Sequence, residues 1–103
     1  MLIEGDDFDN LLEGSDQDDE IYGLDGNDKI FGYAGNDLLD GGLGDDYLDG
    51  GEGDDTLFGW DGNDHLFGSA GYDELFGEDG DNTLEGFDGD LLVGGKGDDF
   101  YVL

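Results

Sequence analysis

A glycine returns every nine residues through almost the whole chain, and that period decides which folds are open to it. Gly5, Gly14, Gly23, Gly32, Gly41, Gly50, Gly59, Gly68, Gly77, Gly86 and Gly94 each open a unit, ten units of nine residues and one, Gly86 to Val93, of eight. Position eight of the units holds Leu12, Ile21, Ile30, Leu39, Leu48, Leu57, Leu66, Leu75, Leu84, Leu92 and Tyr101. One large apolar side chain per unit buries nothing alone, but stacked copies line those side chains into a continuous core. Glycine at this density rules out a helix.

The clearest pair of units runs from Gly41 to Asp49 and from Gly50 to Phe58, each reading G-G-x-G-x-D-x-U-x with U aliphatic. Position four is glycine except at Phe8 and Gln17, which marks a turn that needs positive φ. Positions seven to nine then read as a three-residue strand with its centre facing inward and its flanks outward. The competing reading is a run of β-hairpins, since Asp25-Gly26, Asp61-Gly62 and Asp79-Gly80 are good hairpin turns. Sandwich loops vary in length, however, and one aliphatic position in nine is too thin for a two-layer core. The pattern predicts one all-β solenoid domain over residues 1–103, with Met1 to Glu4 and Leu103 outside the repeat. Side chains at position two, such as Leu24, Tyr33, Trp60 and Phe87, are expected to lie outside the turn.

Charge adds a condition. The 103 residues carry 31 Asp plus Glu against 2 Lys plus Arg, a net charge of −29, with 23 glycines and no proline. Such a chain stays disordered unless a counter-charge holds it. The sign excludes nucleic acid as a partner and disfavours an anionic membrane surface. No cysteine is present, so disulfides and thiolate sites are impossible. The start, Met1-Leu2-Ile3-Glu4-Gly5-Asp6-Asp7, has neither a basic nor an apolar signal region, so no cleaved secretory signal is expected. No apolar run is long enough for a membrane span.

The acids are in phase with the glycines. Position six is Asp19, Asp28, Asp37, Asp46, Asp55, Asp64, Asp73 and Asp99, with Asn10 and Asn82 as exceptions; Asp90, in the short unit, fits position five or six. A solvating acid needs no phase. A turn offering backbone carbonyls and one carboxylate suits calcium, a hard cation that takes six to eight oxygens. Zinc wants nitrogen or sulfur, and this chain has one histidine. Magnesium demands a smaller octahedral site. The acids at position three, Asp7, Asp16, Asp25, Glu52, Asp61, Asp79 and Asp88, are expected to be merely solvated.

On these units the chain resembles the RTX (repeats-in-toxin) family of β-roll modules over nearly its whole length. The resemblance implies a right-handed parallel β-roll with two units per coil and two rows of turns. One row would hold Asn10, Asp28, Asp46, Asp64, Asn82 and Asp99, the other Asp19, Asp37, Asp55, Asp73 and Asp90. Calcium would sit between successive members of a row, at most about nine ions in all, with carbonyl ligands mapped onto Gly26, Gly35, Gly44, Gly53, Gly62 and Gly71. Asn10, Gln17, Asn82, Phe8 and the short unit depart from the pattern, so sites near the ends are expected to be weaker or absent. The resemblance further implies secretion by the type I route, folding on reaching extracellular calcium, and a non-catalytic role. Family members usually carry a longer C-terminal flank, which implies a truncated or engineered member.

Catalysis has no support in the residues. His65 falls at an outward strand position, Ser15 and Ser69 lie in turn position two, and periodic carboxylates have no reason to split their pKa values. Position nine places Phe58, Phe76 and Val93 on one face, with Tyr22, and Phe31, Phe67 and Val102 on the other. The Phe58/Phe76 face is a candidate surface for self-association or adhesion, which would make the chain a rigid spacer. A disordered acidic calcium buffer is the third reading. Asn27, Asn36 and Asn63 form a partial ladder without the threonine rank that ice binding would need. The ending Asp99-Phe100-Tyr101-Val102-Leu103 fits a capping strand better than an export signal.

Overall fold

A computed structural model describes residues 1–87 and 89–103. It holds twelve strands of three residues and no helix: β1 (Leu2–Glu4), β2 (Leu11–Glu13), β3 (Glu20–Tyr22), β4 (Lys29–Phe31), β5 (Leu38–Asp40), β6 (Tyr47–Asp49), β7 (Thr56–Phe58), β8 (His65–Phe67), β9 (Glu74–Phe76), β10 (Thr83–Glu85), β11 (Leu91–Val93) and β12 (Phe100–Val102). Odd strands make one six-stranded sheet, β1-β3-β5-β7-β9-β11, and even strands make the other, β12-β10-β8-β6-β4-β2. Every pairing is parallel, so the Asp-Gly dipeptides make no hairpins. The fold is a parallel β-solenoid with two units to a coil.

Register follows from the side chains. Position eight pairs with position eight, as in Leu39↔Leu57 and Leu48↔Leu66. The flanks of each strand face outward, leaving the centre to fill the space between the sheets. Ile21, Ile30, Leu39, Leu48, Leu57, Leu66, Leu75 and Leu84 form that core and are 0% exposed. Ile3, Leu12 and Leu92 close it, partly buried, at its two ends. Tyr101, the last of the column, is half-exposed, and its hydroxyl accepts the Gly94 N–H at 2.9 Å. β12 lies on the sheet edge with all three residues exposed.

One expectation changes: Leu2–Glu4, expected outside the repeat, forms β1 and pairs residue for residue with Glu20–Tyr22. It is a strand of positions seven to nine without its turn. The short unit keeps register, with Leu92 opposite Leu75, so its missing residue belongs to the turn. The outer faces are lined by aromatic contacts along the strands. Phe58 stacks on Phe76 with ring centroids 5.1 Å apart and on Trp60 at 5.8 Å, while Tyr47 bridges Phe31, His65 and Phe67.

Candidate metal centre

Each turn brings its position-six side chain back over its own backbone, and two glycines permit this. At position one the obstacle is space: a β-carbon on Gly23 would lie 2.6 Å from Oδ2 of Asp28 and 2.7 Å from the Gly41 carbonyl oxygen of the next coil. At position four it is both conformation and space. Gly44 has φ +104°, and a β-carbon there would run into the Gly26 carbonyl. Position two also takes positive φ, even where it is Leu24 (68°), Tyr33 (66°), Trp60 (63°), Ser69 (66°) or Glu78 (67°). Left-handed backbone at a non-glycine residue costs about 1 kcal/mol or more. Leu24, Tyr33 and Trp60 project outward and are exposed, as the sequence predicts.

The position-six carboxylates are buried, and their two oxygens are treated differently. Oδ1 accepts the backbone N–H of position six in the preceding coil, at 2.7–2.9 Å, in an unbroken ladder down each row: Asn10 to Asp28 to Asp46 to Asp64 to Asn82 to Asp99, and Asp19 to Asp37 to Asp55 to Asp73 to Asp90. This places Asp90 at position six; the short unit lacks position five. The second oxygen is another matter. Oδ2 of Asp28, Asp37, Asp46, Asp55, Asp64 and Asp73 is buried and has no hydrogen-bond partner. A buried, unpartnered carboxylate oxygen costs several kcal/mol unless a proton or a cation meets it.

Asn82 reports what surrounds that oxygen. Its Oδ1 takes the ladder bond from Asp64, which fixes its Nδ2 in the place of the unpartnered Oδ2. There the amide donates to the carbonyls of Glu78, Asp79 and Gly80, at 3.4–3.5 Å. These are positions two, three and four of its own turn. With an aspartate at position six, the same three carbonyls would converge on a carboxylate oxygen with no hydrogen between them. Four such oxygens repel one another, and a hard cation relieves this. Among the described residues no three carboxylate or imidazole side chains cluster together. A cation here would therefore draw on carbonyls, which is calcium chemistry and not zinc chemistry.

The electrostatics agree. Burial, with neighbouring carboxylates adding to it, pushes Asp46, Asp55 and Asp64 up to about 8, Asp73 to about 7 and Asp37 to about 6. Burial raises Asp28 as well. Asp19 differs: burial lifts it, but hydrogen bonds from the Ser15 N–H and hydroxyl and the nearby amino terminus outweigh that and lower it overall. Asp99 lies half-buried on the last coil, its Oδ1 accepting from Asn82. The six glycines Gly26, Gly35, Gly44, Gly53, Gly62 and Gly71 all share the position-four conformation, φ +96° to +104°.

A second ladder escaped the sequence reading. At position five, Asp9, Asn27, Asp45, Asn63 and Asp81 in one row, and Asp18, Asn36 and Asp54 in the other, each accept through Oδ1 the position-five N–H of the following coil, at 2.7–2.9 Å. The Asn27, Asn36 and Asn63 side chains thus tie coil to coil. Tyr72 takes position five where the next coil has none, and its ring lies 2.9 Å from where a Gly89 β-carbon would be. That this column holds only Asn or Asp, Tyr72 apart, was the available signal. The position-three acids Asp7, Asp16, Asp25, Glu52, Asp61 and Asp79 are exposed, as expected, and Asp88 lies outside the described residues.

The family model for the RTX calcium-binding nonapeptide repeat matches residues 4–39, 31–66, 40–75, 58–86 and 73–101. The chain belongs to that family. No curated protein and no solved structure matches it. For an RTX repeat chain the fit between residues and ion is direct: the family binds calcium, and the turns here present buried oxygen without donors.

Proposed function

We propose that this chain is an extracellular, non-catalytic module that folds when calcium enters its turns. The observation that carries the reading is the set of six buried Oδ2 atoms on Asp28, Asp37, Asp46, Asp55, Asp64 and Asp73 that have no partner. These carboxylates would hold the ions, together with position-two to position-four carbonyls, those of Gly26, Gly35, Gly44, Gly53, Gly62 and Gly71 among them. The ion supplies positive charge that offsets carboxylate repulsion. The chain's own part is to hold the oxygens around the ion, through the Oδ1 ladder and the left-handed turns. A core of one aliphatic column offers little apolar burial, so ion binding is expected to provide much of the folding free energy. Affinities in the extracellular range, roughly 10⁻⁴–10⁻³ M, suit such a switch, and an extracellular setting with export by the type I route fits that range.

A calcium titration of the chelated chain, followed by far-UV circular dichroism and Trp60 fluorescence, tests this. The expected outcome is a cooperative transition with calcium and little response to magnesium. An identical ordered spectrum in chelator and in millimolar calcium would end the reading, and binding without any spectral change would support the disordered buffer instead. Self-association through Phe58 and Phe76 has less support, because these rings and Trp60 are engaged with one another and such ladders stabilise strands. Sedimentation in calcium is expected to give a monomer.

A further inference from the structure

The first ten turns fall into two kinds, and only one needs an ion; the eleventh, left-handed at Gly95 and Gly97, ends in Asp99, which is half-exposed to solvent. In the six turns from Gly23 to Asp73, position two is left-handed and the position-six Oδ2 lacks a donor. At the two ends of the roll the chain supplies the donor itself, from the position-two N–H in three turns and from a side-chain amide in a fourth. In the first turn, Asn10 replaces the carboxylate, and its Oδ1 accepts the position-two N–H of Asp6 at 3.0 Å. In the second, Oδ2 of Asp19 accepts the N–H of Ser15 at 2.7 Å and its hydroxyl at 3.0 Å. In the tenth, Oδ2 of Asp90 accepts the N–H of Phe87 at 2.8 Å. The ninth turn keeps the central backbone, with Glu78 at φ +67° and Gly80 at φ +99°, but the Asn82 amide fills the slot and donates to its three carbonyls.

The sequence positions of these turns matter. The first and second belong to one coil, and the ninth and tenth to another. Each self-closed coil flanks the block of three coils that carries all six unpartnered oxygens.

We infer that residues 5–22 and 77–93 form ion-free coils that bracket the calcium-dependent block, and that the Asn82 amide stands where calcium would otherwise bind. This rests on the calcium reading proposed above. It goes beyond it by fixing the capacity at the six central turns, below the nine that alternation of units suggests, and by giving Asn82 a positive role. An asparagine at position six is a neutral, permanent substitute for aspartate plus ion. Its amide hydrogens face the carbonyls, so the turn closes without an ion of its own.

Calcium content measured by equilibrium dialysis and elemental analysis, on the full chain and two variants, tests the inference. The full chain is expected to bind one ion for each of the six unpartnered aspartates. Asn82→Asp should bind one more, and Asp46→Asn one fewer. Amide hydrogen exchange followed while chelator withdraws calcium stepwise gives a readout besides the ion count. There Asp46→Asn should keep the turn from Gly41 to Asp46 protected longer, and Asn82→Asp should lose protection earlier between Gly77 and Asn82. A full-chain count that includes the end turns, or an unchanged count in Asn82→Asp, overturns the inference while leaving the calcium reading intact. No calcium bound by any of the three proteins overturns both.

Discussion

Asp46 and Asp19 occupy the same position of the same repeat, yet their folded environments push them in opposite directions. Asp46 accepts the Asp28 N–H through Oδ1, Asp19 pairs its Oδ1 with the Met1 ammonium at 3.4 Å, and both carboxylates are buried. Asp46 has nothing for its second oxygen, and burial carries it up to about 8; Asp19 has Ser15, and its net shift is downward. The difference comes from position two. A left-handed residue there turns its N–H away and leaves carbonyls around the slot, whereas Ser15 keeps negative φ and donates into it. Where position six is a buried aspartate, one dihedral angle thus decides whether the repeat calls for an ion.

The largest expected effect that separates centre from end is in the core. Leu57→Ala empties a fully buried site and should destabilise the calcium-loaded roll by about 2–5 kcal/mol in denaturant titration. Leu12→Ala, at a partly exposed end of the column, should cost clearly less. Equal costs would show that the ends are as tightly packed as the middle.

Next comes the turn backbone. Gly44→Ala forces a β-carbon into the Gly26 carbonyl at φ +104°, and it should cost more than about 1 kcal/mol with a visible loss of calcium cooperativity. Gln17→Gly, at the equivalent position of a self-closed turn, should leave calcium cooperativity unchanged.

Acidity sharpens the comparison further. Asp37, Asp46, Asp55, Asp64 and Asp73 have folded pKa values of about 6, 8, 8, 8 and 7, above the ordinary 3.8. Their protons stabilise the ion-free fold fully below the ordinary value, and that support is lost as pH rises through 6 to 8. Asp19 has the opposite sign: its contribution is present above 3.8 and disappears as acid protonates it. Circular dichroism in chelator should therefore show more order at pH 5 than at pH 9. In calcium the trend should reverse, because protons compete for the same oxygens. The smallest effect is Ser15→Ala, which removes one hydroxyl donor while the Ser15 N–H remains; it should cost about 1 kcal/mol by thermal melting of the calcium-loaded roll and leave the calcium count unchanged.

How much of this could be read in advance depended on whether a residue's role shows in its type and phase. Leu48 and Asp46 announce themselves, because only a buried column and a ligand column keep one chemistry at a fixed spacing. Asn27 and Asp45 keep phase too, but Asn and Asp alternate there, since either supplies the single acceptor oxygen the ladder needs. That alternation resembles a solvated turn. Leu24 and Trp60 hid their left-handed backbone because residue type argues against it. Asn82 reads as a weakened ligand until its nitrogen is seen facing three carbonyls. Asp90 was ambiguous because a deletion inside a turn leaves no mark until strand register locates it.

The two side-chain ladders run in opposite senses: position six donates from each coil to the next, and position five donates back. Both join residues 18 apart in the regular part of the chain. A lineage or an engineer can therefore lengthen or shorten this molecule in steps of a whole coil without orphaning a rung. Excising a single nonapeptide such as Gly41 to Asp49 would instead move everything downstream to the opposite sheet, parting Phe58 from its strand partner Asp40 and shuffling aspartates between rows. The indivisible quantum of change is the pair of repeats.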